Sequence, residues 1–201
     1  MSPAVVFDLG KVLLDFDYAP VLRRLAATGR ASLADIRRQL DQGALLHAYE
    51  RGELTAAEFH RAVAEATGST LGYDEFAQLF ADIFTGIPEM IALHAALRGA
   101  GVPTFIFSNT NGLAVEHVRR TFAFFNAFDG HVLSYEHGVM KPHARLYEVV
   151  EQLAGRRGAE LVYLDDRAEN VAAAAARGWR VVHHADPATS RAALRAFGLP
   201  A

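Results

Sequence analysis

The sequence predicts an α/β fold: a parallel-sheet core with helices on both faces, interrupted after its first strand by an all-helical insert. Three observations carry this reading. Short apolar runs alternate with longer segments of helical period, as strand–helix–strand units do. Between about residues 18 and 84 that alternation stops, and helical segments follow one another. The composition suits one globular core with an inserted lobe: 201 residues, 51% hydrophobic and 21% charged, with a formal charge of −3.

Ala4 to Phe7 is the first strand. It ends at a carboxylate, Asp8, and opens the glycine turn Asp8-Leu9-Gly10-Lys11-Val12. Such a strand aims the carboxylate at the carboxyl edge of the sheet, where ligands bind in open α/β folds. The insert follows. Leu22 to Ala27, Ser32 to Leu40, Ala44 to Glu50, Thr55 to Ala66 and Tyr73 to Phe84 read as helices, and Thr55-Ala56-Ala57-Glu58 has the spacing of a capping box. The alternation then resumes. Pro88 to Leu97 is a helix with Pro at its first turn, Thr104 to Phe107 a strand, and Asn111 to Phe122 a helix. His131 to Ser134 adds a short strand, His143 to Leu153 a helix, Leu161 to Leu164 a strand, Ala168 to Arg177 a helix, and Arg180 to His183 the last strand. The run Ala172 to Ala176 is read as a helix packed tightly on the sheet, and Trp179 as core or sheet-edge packing. His183 and His184 are read as surface residues, since neighbours on a strand face opposite ways. The expected organisation is a core of residues 1–17 and 85–201, with residues 18–84 standing over the sheet edge as a cap.

Composition also excludes function classes. Both charge signs are interspersed, with no basic stripe, which argues against nucleic acid. The chain has no Cys, so disulfides, thiolate ligands and a Cys nucleophile are ruled out. The start, Met1-Ser2-Pro3, lacks the positive flank of a signal peptide, and no stretch approaches the ~20 apolar residues of a membrane span. A cytoplasmic chain is expected.

Four positions carry chemistry, each at a strand end or on a loop of one predicted sheet edge. Asp8 is the first. Ser108-Asn109-Thr110 follows the strand Phe105-Ile106-Phe107 and runs into a helix, where a hydroxyl and backbone N–H groups can hold phosphate oxygens. Lys141, before Pro142 and a helix, is a compact charge suited to a phosphoryl group. Asp165-Asp166 ends Leu161-Val162-Tyr163-Leu164, and paired carboxylates near a third offer the hard oxygen ligands that Mg²⁺ prefers. Together they supply a nucleophile, a phosphate clamp, a cation and a metal site.

The ordered set Phe7-Asp8-Leu9-Gly10-Lys11-Val12, Glu50-Arg51-Gly52-Glu53, Ser108-Asn109-Thr110-Asn111, Leu133-Ser134 with Lys141-Pro142, and Asp165-Asp166 with Asn170 resembles the haloacid dehalogenase-like hydrolase superfamily, in the subgroup with a helical cap after the first strand. Within it the chain is most similar to the bacterial α-D-glucose-1-phosphate phosphatase group and to the phosphatase domain of soluble epoxide hydrolases. The resemblance implies a Rossmann-like core and a Mg²⁺-dependent phosphatase of a small phosphorylated metabolite, such as glucose 1-phosphate. It implies that Asp8 forms an aspartyl-phosphate, that Ser108 and the Asn109 backbone bind the phosphoryl oxygens, and that Lys141 neutralises charge. Mg²⁺ would be held by Asp8, the Gly10 carbonyl and Asp166, with Asp165 and Asn170 in support.

One position departs from the superfamily pattern. Most of its phosphatases carry a second Asp at the place of Gly10, which protonates the leaving oxygen and then activates water. A positioned acid–base contributes roughly 10²–10⁴-fold. Gly10 alone predicts a steep dependence of rate on leaving-group acidity. A flat dependence would mean that another residue supplies the proton, with Asp15 and Asp17 the first to test. The glucose-1-phosphate phosphatase group has Gly there too. Two other readings stand beside the phosphatase: a metal-free dehalogenase, against which Asp165-Asp166 argues, and a non-catalytic phosphate-binding protein. His47, Tyr49, Glu50 and Arg51 are the candidates for substrate selection from the cap.

Overall fold

The computed structural model describes residues 3–40 and 43–201; Met1 and Ser2, which bear on the leader expectation, lie outside them. In chain order the elements are Ala4–Phe7 (β1), Leu14–Phe16 (β2), Ala19–Thr28 (α1), Leu33–Leu40 (α2), Ala44–Glu50 (α3), Ala56–Thr67 (α4), Tyr73–Ala81 (α5) and Phe84–Gly86 (β3). Then come Pro88–Gly99 (α6), Thr104–Ser108 (β4), Gly112–Thr121 (α7), Gly130–Leu133 (β5), Ala144–Ala154 (α8), Leu161–Asp165 (β6), Ala168–Ala176 (α9), Arg180–His183 (β7) and Pro187–Ala196 (α10).

Five strands form one sheet in the order β5-β4-β1-β6-β7, and every pairing is parallel. The first strand is therefore central, with Phe7 opposite both Ile106 and Leu164. Strands buried on both faces read as continuous apolar runs rather than alternating ones, which is why these segments stand out in the sequence. The period of two appears in which face each residue joins. Val5, Phe7, Ile106, Val162 and Leu164 pack with Met90, Leu93, Val115, Val118 and Leu194 from α6, α7 and α10. Ala4, Val6, Phe105, Phe107, Leu161 and Tyr163 pack on the other side with Leu146, Tyr147, Val150 and Ala174 from α8 and α9. Of the alanine run in α9, only Ala174 is buried, while Ala172, Ala175 and Ala176 are exposed. Trp179 is buried and donates its indole N–H to Glu151 (3.0 Å).

Helices α1 to α5 gather a third apolar cluster that includes Leu22, Leu25, Tyr49, Phe59, Phe76 and Phe80. Tyr49 stacks on Phe59 with ring centroids 4.4 Å apart. The capping box at the start of α4 is formed in both directions between Thr55 and Glu58.

The structure corrects the sequence reading at three places. Phe84 does not end a helix: α5 stops at Ala81, and Phe84 opens β3, which pairs antiparallel with β2 at the root of the helical insert. Phe80, Ile83 and Phe84 fit helical spacing, and a three-residue strand is too short to show its own period. The helix α10, introduced by Pro187 and capped by Asp186, was not anticipated. His184 is buried and bonds Ser190 (2.7 Å), whereas His183 is exposed as expected. Among the described residues no helix is long and apolar enough to cross a membrane.

Candidate active site

A parallel sheet ends all its strands at one edge, and that edge gathers the predicted residues. Asp8 follows β1, Ser108 ends β4, Asp165 ends β6 with Asp166 next to it, and Lys141 reaches in from the loop before α8. All of them except Asp165 line one cavity of about 140 Å³, together with Gly10, Asn109 and Asn170. Its remaining walls are Lys11, Phe16 and Tyr18 from the turn after β1 and the start of the insert, Leu46, His47 and Glu50 from α3, and Met140 and Arg167.

Lys141 organises this edge. Its ammonium is 3.0 Å from Asp8 Oδ1, and it donates to Asp165 Oδ2 (2.7 Å), the Phe107 carbonyl (2.9 Å) and the Tyr163 hydroxyl (3.1 Å). Its backbone is fixed by Asn109, whose amide side chain exchanges hydrogen bonds with the Lys141 N–H (2.7 Å) and C=O (3.1 Å). Burial opposes the Lys141 charge, but Asp8 and Asp165 outweigh it and hold the ammonium above its ordinary range. Asp165 is fully buried. It accepts from Lys141, the Tyr163 hydroxyl, both contacts of the Asn170 amide (3.1 Å each) and the Arg167 N–H (2.8 Å). Those donors overcome its burial and keep its carboxyl below the ordinary range.

Asp8 is less well supplied. Its Oδ1 accepts the Leu9 N–H (2.7 Å), yet burial pushes its carboxyl up to about 7, with Lys141 pulling down and Asp165 and Asp166 pushing further up. Asp166 is raised too, by burial and by Asp165. One carboxylate oxygen from each of Asp8, Asp165 and Asp166 lies within 4.8 Å of the others. Three crowded carboxylates against one ammonium leave uncompensated negative charge, and a hard divalent cation answers both the charge and the donor type. These residues fit a metal.

Gly10 and the turn around it are tight. Lys11 has a positive φ of 59°, and its N–H donates to Leu14 O (2.7 Å). A Cβ on Gly10 would stand 3.0 Å from the Phe16 ring. Lys11 pairs with Asp15 on the exposed side of the turn, and Asp17 accepts the Ala19 N–H (2.8 Å). Neither Asp15 nor Asp17 lines the cavity.

The helical insert is tied to this edge at two points. Ser134, fully buried at the end of β5, donates its hydroxyl to the Glu50 carbonyl (2.6 Å) and to Thr110 O (3.1 Å), and accepts the Thr110 N–H (2.9 Å). The Tyr49 hydroxyl accepts the Leu113 N–H at the start of α7 (3.2 Å). Four positions of this edge were not given these parts from sequence: Tyr163, which read as strand filler; Arg167; Ser134 as a bridge to the insert; and Glu50 as a wall of the nucleophile's own cavity. Ser134 and Tyr163 meet partners far along the chain, in Glu50 and Lys141, and Glu50 and Arg167 join this cavity only once the insert and the core are brought together.

Comparison with known proteins follows the same outline. The family model for the haloacid dehalogenase-like hydrolases matches residues 3–178. The sesquiterpene phosphatase astK of Aspergillus oryzae is 28% identical over 96% of this chain and 94% of its own length. A solved structure of a predicted HAD-like family hydrolase from Porphyromonas gingivalis is 26% identical and superposes with a TM-score of 0.78 over 96% of this chain and 98% of that one. A HAD family enzyme of Bacteroides thetaiotaomicron, solved in complex with magnesium and inorganic phosphate, shares the fold at 22% identity, with a TM-score of 0.79 over 90% of this chain and 93% of that one. With the family model covering most of the chain and the acidic edge assembled as described, this protein belongs to the haloacid dehalogenase-like hydrolase family.

Proposed function

We propose that this chain is a magnesium-dependent phosphatase that hydrolyses a small phosphomonoester through an aspartyl-phosphate on Asp8. The observation that carries the reading is the Lys141 ammonium locked between Asp8 and Asp165, with Asp166 completing a three-carboxylate cluster beside it. The phosphatase among its relatives and the magnesium- and phosphate-bound structure that shares its fold support it. Mg²⁺ would be held by Asp8, the Gly10 carbonyl and Asp166, with Asp165 and Asn170 in support, and when bound it supplies positive charge beside the phosphoryl group.

The chain's own residues do the rest. The Asp8 carboxylate attacks phosphorus, the bond from phosphorus to the ester oxygen breaks, and that oxygen leaves with the electron pair. Ser108 and the Asn109 backbone hold equatorial oxygens of the group in transit, and Lys141 neutralises charge on it and on Asp8. Water then attacks the acyl phosphate and releases phosphate and Asp8. Residues 18–84 act as the cap, closing the cavity with Leu46, His47 and Glu50. The substrate class the sequence points to is a sugar phosphate such as glucose 1-phosphate. A second reading, an ester of an apolar alcohol, is favoured by one observation: Phe16, Tyr18, Leu46 and Met140 give the cavity an apolar side. The ligand is a small phosphorylated metabolite in either case, which, with the absence of Cys, suits the cytoplasm.

The test is release of phosphate from an aryl phosphate and from a panel of sugar and prenyl phosphates, with Mg²⁺ and with chelator. Turnover with Mg²⁺ and none with chelator is expected, abolished in Asp8→Asn, whose amide cannot form the acyl phosphate, with Mg²⁺ affinity weakened in Asp166→Asn. Near wild-type turnover by Asp8→Asn sinks the proposal. Metal-independent release of halide from a 2-haloacid would move the chain to the dehalogenase reading.

A further inference from the structure

We propose that Glu50, carried by the helical insert, is the proton donor to the leaving-group oxygen, in the role that no side chain at Gly10 can fill. This rests on the phosphatase reading above. The first argument is that the usual place for the acid carries none. Gly10 has no side chain, and even a Cβ there would press the Phe16 ring at 3.0 Å. The second is position. Glu50 lines the same cavity as Asp8, Gly10 and Asp166, and it does so from the cap side. The third is availability. Among the described residues the Glu50 carboxyl has no hydrogen-bond or salt-bridge partner, so nothing in the fold uses it.

The groups that share the cavity with it are Asp8, Lys141, Asp166 and Arg167 from the core, Lys11 from the turn after β1, and His47 from its own helix. Burial outweighs the pull of Arg167 and Lys141 and holds the Glu50 carboxyl up to about 7, so it keeps its proton at mildly acidic pH and loses it as pH rises through neutrality. Competing donors are worse placed or worse charged. Asp15 and Asp17 are exposed and engaged elsewhere. His47 is pushed below its ordinary range by burial, Arg51 and Arg167, which disfavours the protonated form a donor needs. Precision comes from the backbone: the Glu50 carbonyl is pinned by Ser134 (2.6 Å), and neighbouring Tyr49 is held by Leu113 and by its stack on Phe59.

The step balances. As the Asp8 oxygen bonds phosphorus, the ester bond breaks toward its oxygen, which takes the proton from Glu50 and leaves as an alcohol. The Glu50 carboxylate then accepts a proton from the water that attacks the aspartyl-phosphate. That returns Glu50 to its acid form and releases phosphate and Asp8.

The test measures kcat/KM with Mg²⁺ for an aryl phosphate, whose leaving group needs no proton, and for alkyl phosphates, in wild type, Glu50→Gln and Glu50→Asp. In Glu50→Gln the alkyl rate is expected to fall ~10²-fold or more relative to the aryl rate, with partial recovery in Glu50→Asp. The wild-type alkyl rate should decline as pH rises through about 7, a decline absent from Glu50→Gln. An unchanged alkyl-to-aryl ratio in Glu50→Gln, or wild-type turnover confined to aryl phosphates, overturns the assignment of Glu50 and leaves the phosphatase standing. Phosphate release from neither ester by wild type overturns the phosphatase reading and Glu50 with it. Should Glu50→Gln fail to fold, the same ratio in Glu50→Asp decides.

Discussion

Asp8 sits between two opposing influences: an ammonium 3.0 Å away favours its charge, while burial and two neighbouring carboxylates oppose it. That tension was partly legible, because a carboxylate at the end of an apolar strand, an isolated Lys and a paired Asp each stand out from their surroundings. Glu50 was legible only as one of four cap candidates for substrate selection, since a glutamate near a helix end also has an ordinary surface reading and only the folded cavity places it beside Asp8. Gly10 taken alone predicts steep leaving-group dependence; Glu50 in the cavity predicts a shallow one that steepens in Glu50→Gln. A second titrating residue lies far from this edge. His94 is 1% exposed, stacked on Phe128 at 3.7 Å and bonded to Thr104, and burial lowers it to about 4. Its folded value lies below the unfolded one, so between pH 6.5 and about 4 the unfolded chain binds a proton that the native chain refuses. Stability therefore falls as pH drops through that window, by up to ~1.4 kcal/mol per unit. Urea midpoints measured across that window should decline less steeply in His94→Leu than in wild type; equal slopes would remove His94 from the account.

At the scale of elements, the strand–helix alternation was legible because the three central strands, β1, β4 and β6, are buried throughout and read as unbroken apolar runs between segments of helical period. The ribbon of β2 and β3 was not, because three residues carry no period and its pairing joins segments separated by the whole insert. The same reason hid the bond between β5 and α3. Ser134 is a small polar residue at a strand end, and nothing local says that its hydroxyl reaches a carbonyl 84 residues earlier in the chain. Ser134→Ala removes partners from the Glu50 carbonyl and from both backbone groups of Thr110. Leaving a buried polar group unpaired costs ~1–3 kcal/mol. The variant should lose about that much stability in urea. It should also lose more turnover of alkyl than of aryl phosphates, since the helix end carrying Glu50 is loosened. A stability loss with no change in that ratio would confine Ser134 to holding the fold.

At the scale of the whole molecule, the central strand and its two neighbours meet at a single nitrogen. Lys141 touches the end of β1 through Asp8, of β4 through the Phe107 carbonyl, and of β6 through Tyr163 and Asp165. Sequence reasoning found the residue but not this span, because three strands widely spaced in the chain become neighbours only once the sheet is ordered β4-β1-β6. Replacing Lys141 with Ala leaves Asp8 and Asp165 buried without their cation, a loss of about 3–5 kcal/mol for a broken buried pair. Typical domains have about 5–15 kcal/mol to lose. The Lys141→Ala midpoint in urea should drop accordingly, and recover in part when Asp165 is also replaced by Asn; no recovery would deny the pairing. An inactive Lys141 variant would then report how much of the sample is folded before it reports anything about rate. Mutagenesis at this nitrogen measures assembly and chemistry as one quantity, and only variants that keep the three strands tied can separate them.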